Sequence, residues 1–421
     1  MFRPAFRITF ALTAIGLLSA GSALAQPTSP GAPEDIDQME AALTLVDGGD
    51  HLLAWSQEIS ATGQIRIKHL ENGVNDLARS KHLGQPFGRS GIPGWQAGDQ
   101  RSPAFGPGFL VWAEKRPGGA DFDLYAQRHG LAGTAVGNPI LVLERPGDQI
   151  RPAVAADRSG ELMLVWSEFG ATNGMDIWGL RLSNALMPRG APFAIAAGAS
   201  NAGDPTIAAD PSSGDGFLVV WVDDRAGAGE ADLYGVTVHR SGVLKRPGAT
   251  AEMALVVGPG HSLAPSLTVD AASTDEVNGL LAWQMVPPAG STMSIHIQAQ
   301  RLRSNGLFYG RPFAVRPSLF FDLMPAVAPR QPEGWLAVWS RSGNFMPPEG
   351  GVGVIEGIYW WLRQSGPRQA TITPAPTSAA PTATTSTAAA PTPVPDSLDL
   401  WGVTIDRNAR VGRPARPVAE D

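Results

Sequence analysis

Apolar residues in this chain gather in short consecutive runs that end on tryptophan, without the spacing of a helical face. The runs are His51-Leu-Leu-Ala-Trp55, Phe109-Leu-Val-Trp112, Leu162-Met-Leu-Val-Trp166, Phe217-Leu-Val-Val-Trp221, Gly279-Leu-Leu-Ala-Trp283 and Trp335-Leu-Ala-Val-Trp339. Consecutive apolar positions over four or five residues are expected of strands covered on both faces. Four copies have an upstream partner that opens on proline: Pro152-Ala-Val-Ala-Ala-Asp157, Pro205-Thr-Ile-Ala-Ala-Asp210, Pro265-Ser-Leu-Thr-Val-Asp270 and Pro325-Ala-Val-Ala. A Gly- or Asp-bearing turn separates each pair, which reads as a hairpin. About ten residues past the Trp comes a third segment, Asp123-Leu-Tyr-Ala-Gln-Arg128, Asp176-Ile-Trp-Gly-Leu-Arg181 or Asp232-Leu-Tyr-Gly-Val-Thr237, with a looser copy at Ile297–Arg301. A short fourth follows, such as Pro192-Phe-Ala-Ile195 or Pro312-Phe-Ala-Val315.

Four short strands recurring about every 55 residues are the pattern of propeller blades. The expected fold is all-β: a six-bladed β-propeller of four-stranded antiparallel blades over residues 40–421, with seven blades or an open β-repeat array as alternatives. The first repeat starts at its own first strand and the last ends at its fourth, so no strand exchange between the chain ends is expected. Repeat six is interrupted after Trp339. Residues 341–396 read as an insertion in one hairpin, with Asp399–Ile405 as third strand and Arg413–Val418 as the outer one. The low-complexity part, at about 364–396, holds mostly Pro, Thr, Ser and Ala and reads as an extended spacer. Residues 85–101, with Trp95, form a second extra loop.

The combination Trp112/Glu114/Asp123, Trp166/Glu168/Asp176 and Trp221/Asp223/Asp232 resembles a repeat family of secreted bacterial β-propellers, in which an apolar run reaches Trp, an acid stands two residues on, and Asp-Ile-Tyr-Gly-x-Arg follows. The other copies depart from it, with Gln57, Met285 and Arg341 at the acidic position. The resemblance implies a propeller and little about activity, since one fold hosts many functions.

Composition narrows the classes. Net charge is −7 and no dense basic run occurs, so a nucleic-acid surface is not expected. Cysteine is absent, which removes disulfides, thiolate catalysis and Cys-ligated metals. Arg3 and Arg7 precede an apolar stretch, Ile8 to Leu18, and then Ala23-Leu-Ala25, the order of a secretory signal peptide over residues 1–25 with a flexible segment at 26–39. Export to the periplasm, cell surface or extracellular space is expected, with no transmembrane segment after cleavage because the apolar run is short of a span.

Chemistry is sparse. The seven His show no short ligand spacing, and no metal or cofactor is expected. Asp157, Asp210 and Asp270 in the first hairpin turns read as turn formers ahead of calcium ligands. No Gly-x-Ser-x-Gly elbow exists; the nearest segment is Gly260-His-Ser-Leu-Ala264. Glu114, Glu168 and Asp223 repeat, whereas catalysis needs one asymmetric constellation, so they read as structural, Glu114 pairing Arg128 and Glu168 pairing Arg181 across strands. Catalytic residues are therefore not assigned. Trp95, Phe345, Tyr359, Trp360 and Trp361, in or beside the irregular segments, are the ligand-binding candidates, because aromatic faces receive sugar rings and partner side chains; Trp335 reads as core. The expected function is an exported binding or scaffold module for an envelope or extracellular protein or glycan, less an enzyme than a binder. The alternative is a carbohydrate-active hydrolase or lyase with a carboxylate pair at the channel mouth.

Overall fold

The computed structural model describes residues 38–419, except 60–61, 71–80, 83–97, 170–173, 199, 226–229, 246–251, 271–272, 289–290, 292–294, 316–321, 331–333, 343–397 and 413–415. Among these residues there are six small antiparallel sheets, arranged as a six-bladed β-propeller. Blade one is β1 (Gln38–Leu45), β2 (His51–Ile59), β3 (Thr62–Leu70) and β4 (Lys81–His82). Blade two is β5 (Asp99–Gly106), β6 (Phe109–Lys115), β7 (Asp123–His129) and β8 (Ala135–Leu143). Blade three is β9 (Gln149–Ala156), β10 (Leu162–Phe169), β11 (Met175–Leu182) and β12 (Phe193–Ala196). In blade four, β13 (Ala202–Ala209), β14 (Gly216–Asp223) and β15 (Asp232–His239) carry a divided outer edge, β16 (Leu244–Lys245) and β17 (Met253–Val256), both paired with β15. Blade five is β18 (His261–Val269), β19 (Val277–Val286), β20 (His296–Arg303) and β21 (Phe308–Ala314). Blade six is β22 (Asp322–Pro329), β23 (Trp335–Ser342), β24 (Leu398–Ile405) and β25 (Arg416–Ala419). The interrupted repeat is thus one blade, with its third strand where the sequence placed it.

Each blade runs from its innermost strand outward, and the innermost strands β1, β5, β9, β13, β18 and β22 adjoin in that order, with β1 against β22 closing the ring. The apolar runs explain the closure. Trp55, Trp112, Trp166, Trp221, Trp283 and Trp339 are all buried to 1% exposure or less. Each one sits in the apolar cluster shared with the preceding blade: Trp166 joins Phe109, Val111 and Leu124 of blade two, and Trp55 joins Leu336, Val338 and Leu400 of blade six. Burying one such side chain contributes on the order of 2–3 kcal/mol. Six interfaces of this kind hold sheets that could not bury both faces alone. Trp335 is core, as expected.

Every innermost strand carries a β-bulge near its start, where register shifts against the second strand. At each bulge one non-glycine residue adopts a left-handed backbone: Glu40 (φ 56°), Ser102 (φ 51°), Arg151 (φ 53°), Asp204 (φ 51°), Ala264 (φ 46°) and Met324 (φ 50°). The extra residue bends the strand and re-aims its side chain. In five of the six, proline follows, which fits because the bulged residue's successor makes no ladder bond that a missing N–H would break.

Candidate functional site

The bulges build a site at one mouth of the central channel. The guanidinium of Arg151 on β9 reaches Glu40 of β1 (Nη2–Oε1 3.2 Å) and Asp204 of β13 (Nε–Oδ1 3.5 Å). A side chain of blade three can meet blade one, past blade two, only by crossing the channel. Blade two contributes its backbone instead, the Ser102 N–H donating to Glu40 Oε2 at 2.7 Å, while within blade one the Ser56 Oγ–H donates to the same oxygen at 3.1 Å. The three charged side chains are mostly enclosed, retaining 15% (Glu40), 22% (Arg151) and 12% (Asp204) exposure. On blades five and six the equivalent positions are the apolar Ala264 and Met324. The mouth is thus polar over blades one to four and apolar over the other two.

The two carboxylates are driven to different protonation behaviour. Burial pushes the Glu40 carboxyl up, but the Arg151 charge and the Ser102 N–H outweigh it and hold it below the usual range. Burial raises the Asp204 carboxyl, Arg151 opposes this, and the neighbouring Glu40 charge adds to it, leaving Asp204 above the usual range. Asp204 therefore holds a proton more readily than Glu40 does. The guanidinium lies between them, which suits hydrogen bonding to a ligand better than attack on a bond placed between two acids.

Around this mouth the repeated acids play a structural part. Trp112, Trp166 and Trp221 donate their indole N–H to Glu114 (2.8 Å), Glu168 (3.0 Å) and Asp223 (3.1 Å). An arginine then pairs with each acid, Arg116, Arg145 and Arg225 respectively, and lies over the aromatic ring opposite the Trp on the third strand: Tyr125 (5.8 Å), Trp178 (4.4 Å) and Tyr234 (4.5 Å). The expected pairing of Glu114 with Arg128 and of Glu168 with Arg181 is not found. Antiparallel register sets Glu114 opposite Asp123 and Glu168 opposite Asp176, with Arg128 opposite Phe109 and Arg181 opposite Met163 at the far end of the blade. Blade six keeps the cluster by moving its acid to the innermost strand: Trp339 donates to Asp322 (2.8 Å), which also takes Arg341 (Nε–Oδ1 2.6 Å), stacked on Trp401 (4.5 Å). Blades one and five lack acid and aromatic together, with Gln57 and Met285 at the acidic position and Arg66 and Gln298 opposite the Trp.

The aromatic candidates Trp95, Phe345, Tyr359, Trp360 and Trp361 lie outside the described residues. Of the described residues that flank them, Ser342 ends β23 paired with Leu398, and Gly98 donates its N–H to Glu114 (2.9 Å). Glu40, Arg151 and Asp204 were missed by sequence reasoning. The signal was present in the position before the proline, which holds Ser102, Arg151, Asp204, Ala264 and Met324 while its neighbours repeat. The hairpin-turn aspartates act locally: Asp157 Oδ1 accepts the Ser159 and Glu161 N–H groups, and Asp210 Oδ1 accepts that of Ser212. No group of three or more His, Asp or Glu suited to a metal occurs among the described residues, and no helix there is long and apolar enough to cross a membrane.

No protein-family model matches the chain, and comparison with curated proteins gives no match. Solved structures do resemble it. A protein of unknown function from Dyadobacter fermentans superposes with a TM-score of 0.51 at 12% identity, over 75% of this chain and 93% of that one. A Hadza microbial sialidase gives 0.51 at 12%, over 72% of this chain and 63% of its own length. A thermostable family-43 glycoside hydrolase gives 0.46 at 11%, over 69% of this chain and 97% of that one. At such identities the likeness is one of fold.

Proposed function

We propose that this chain is an exported binding module that takes a glycan at the channel mouth ringed by Glu40, Ser102, Arg151 and Asp204. The observation that carries the reading is the asymmetry of this ring: in a molecule built by repetition, the six equivalent bulge positions differ, polar on one side and apolar on the other. Such a mouth matches a sugar, whose hydroxyls pair with carboxylate and guanidinium while its C–H face meets Ala264 and Met324. Left-handed backbone at non-glycine residues costs roughly 1–2 kcal/mol each, and strain of this kind gathers where side chains are aimed for a purpose. That one protein of the same fold is a sialidase is compatible with a carbohydrate ligand.

The test is a panel of immobilised polysaccharides and envelope glycans, with retention of the chain and release of reducing ends both recorded. Retention without release, weakened at least tenfold by Arg151→Gln, is the expected result. Release of reducing ends, abolished by Asp204→Asn, would replace this reading with a hydrolase, the second reading, for which two carboxyls whose pKa values are pushed in opposite directions supply the motive. Neither retention nor release would leave a protein scaffold.

A further inference from the structure

The hairpin between the third and fourth strands makes the same turn in blades two to six. In each, the N–H of the first turn residue donates to the carbonyl of the fifth: Gly130 to Thr134, Ser183 to Met187, His239 to Val243, Arg303 to Leu307 and Asp406 to Arg410, at 2.8–3.0 Å. The fourth position is left-handed, at Gly133, Leu186, Gly242, Gly306 and Ala409, the form that closes a hairpin with a bulge. The corresponding turn of blade one lies outside the described residues. These turns stand at the end of the blades opposite the channel mouth, because the third strand starts beside the indole–acid pairs and runs away from them.

The fifth position is exposed in all five turns, yet it carries a large apolar side chain in three successive blades: Met187 (52%), Val243 (64%) and Leu307 (63%). In blade two, where the fifth position is Thr134, Leu131 of the same turn is the exposed apolar residue, at 66%. The turn needs none of them, since backbone groups make its hydrogen bonds and the core at the Met187 turn is filled by the buried Leu186. Single exposed apolar residues are ordinary on a protein surface; recurrence at one turn in four adjacent blades is not. The tips are held in place by neighbouring blades: Gly242 backs onto the Phe193 ring of blade three, and Arg240 of the same turn pairs with Asp157 (3.2 Å). Between the tips the surface is basic. Arg128, Arg158 and Arg410 are exposed with no acidic partner among the described residues. Acids of the inner hairpins, among them Glu161, Asp215 and Glu276, are taken up by Arg189, Lys245 and Arg303.

We propose that this face docks on an anionic lipid surface, with Leu131, Met187, Val243 and Leu307 entering between the headgroups and Arg128, Arg158 and Arg410 meeting lipid phosphates. The ring itself favours a bilayer as the partner. Equivalent turns of a propeller lie in one plane, and apolar tips with basic flanks in a plane fit a flat anionic surface, whereas a pocket for one molecule needs differences between blades. A second copy brought face to face would set the unpaired arginines against their own kind. The proposal is independent of the glycan reading and turns the channel mouth away from the membrane.

The experiment uses the chain from Gln26 onward, which keeps all six blades and lacks the apolar segment Ile8–Leu18 that would bind lipid by itself. It is floated with vesicles of phosphatidylcholine, with and without phosphatidylglycerol. Binding to the phosphatidylglycerol vesicles is expected, weakened about tenfold by high salt and about tenfold in the triple variant Met187→Ser, Val243→Ser, Leu307→Ser, whose urea midpoint should match the parent's. Arg158→Glu with Arg410→Glu, which leaves the apolar tips untouched, is expected to weaken binding by a similar factor. No flotation of the parent, equal flotation with phosphatidylcholine alone, or binding by both variants within twofold of the parent would each overturn the proposal. So would a dimer of the parent in sedimentation velocity that the triple variant loses, since the tips would then join two copies.

Discussion

At the residue scale, the acid two positions after each tryptophan serves the indole. A buried Trp N–H needs an acceptor, and the carboxylate that supplies one then needs a cation; the arginine's flat apolar face in turn covers the third-strand aromatic. Loss of one member strands the others. The pair Asp322–Arg341 is the most enclosed, with side chains 1% and 7% exposed. Asp322→Ala leaves Arg341 buried without its counter-charge and Trp339 without its acceptor, so we expect a loss of about 3–5 kcal/mol in urea unfolding. Asp322→Asn, which keeps an oxygen for the indole, should cost less. Asp123 gives a prediction in pH. Burial, then Glu144 and Asp121, raises it from 3.8 to about 6, so the folded state binds the proton more tightly than the unfolded chain. Stability should therefore fall as pH rises from about 4 to about 6 and stay lower above that. Asp123→Asn should flatten this part of the profile of thermal midpoint against pH.

At the scale of the element, the strand runs were legible because the pattern of a doubly covered strand is local. The bulges were not, although their consequence is the candidate site. A bulge is a mismatch between two strands, and it shows only once register is known: Arg101 faces Ala113 but Ala104 faces Val111, so Ser102 is the displaced residue. The same register overturned the expected Glu114–Arg128 and Glu168–Arg181 pairs, because two residues each near their own segment's end lie at opposite ends of an antiparallel hairpin. The bulge also predicts a stabilising change. Ala264 holds φ 46°, a conformation costing roughly 1–2 kcal/mol for a residue with a Cβ. Ala264→Gly removes that strain, against a Gly entropy cost of about 0.5–1 kcal/mol, so a net gain of about 0.5–1 kcal/mol is expected in the urea midpoint. No charged residue of the mouth is touched by it.

At the scale of the whole molecule, no described strand is shared between blades one and six, which are each built from one end of the described chain, so the ring closes through side-chain contacts across their seam. The seam holds one titratable residue in an otherwise apolar position: His51, fully buried on β2, with Nε2 2.8 Å from the Pro329 carbonyl of β22. Burial lowers its pKa; the Pro329 hydrogen bond raises it, and the Arg330 and Asp50 charges act in opposite senses. The folded seam thus holds His51 neutral while the unfolded chain protonates it. Stability should be lost as pH falls below the ordinary histidine value of about 6.5. His51→Gln, which can still donate to Pro329, is expected to lose less of its urea midpoint than the parent between pH 7.5 and 5.

The sequence by itself pointed to six blades, with seven or an open array as alternatives, and to the strand order within each blade, because hydrophobic burial acts on every repeat alike and so writes itself as a period; the closed ring of six was decided by the tertiary structure. It also named the insertion in blade six and the copies lacking the acid. What the tertiary structure alone decided is which non-repeating residues meet. Glu40, Arg151 and Asp204 stand 111 and 53 positions apart along the chain and are neighbours only because the ring closes and the bulges turn them toward one channel. Arg145 completes the cluster of blade three only because blade two delivers it across the junction. Periodicity reports what the repeats share, whereas a binding site is made of what they do not share, and those differences acquire meaning only when the ring brings them face to face.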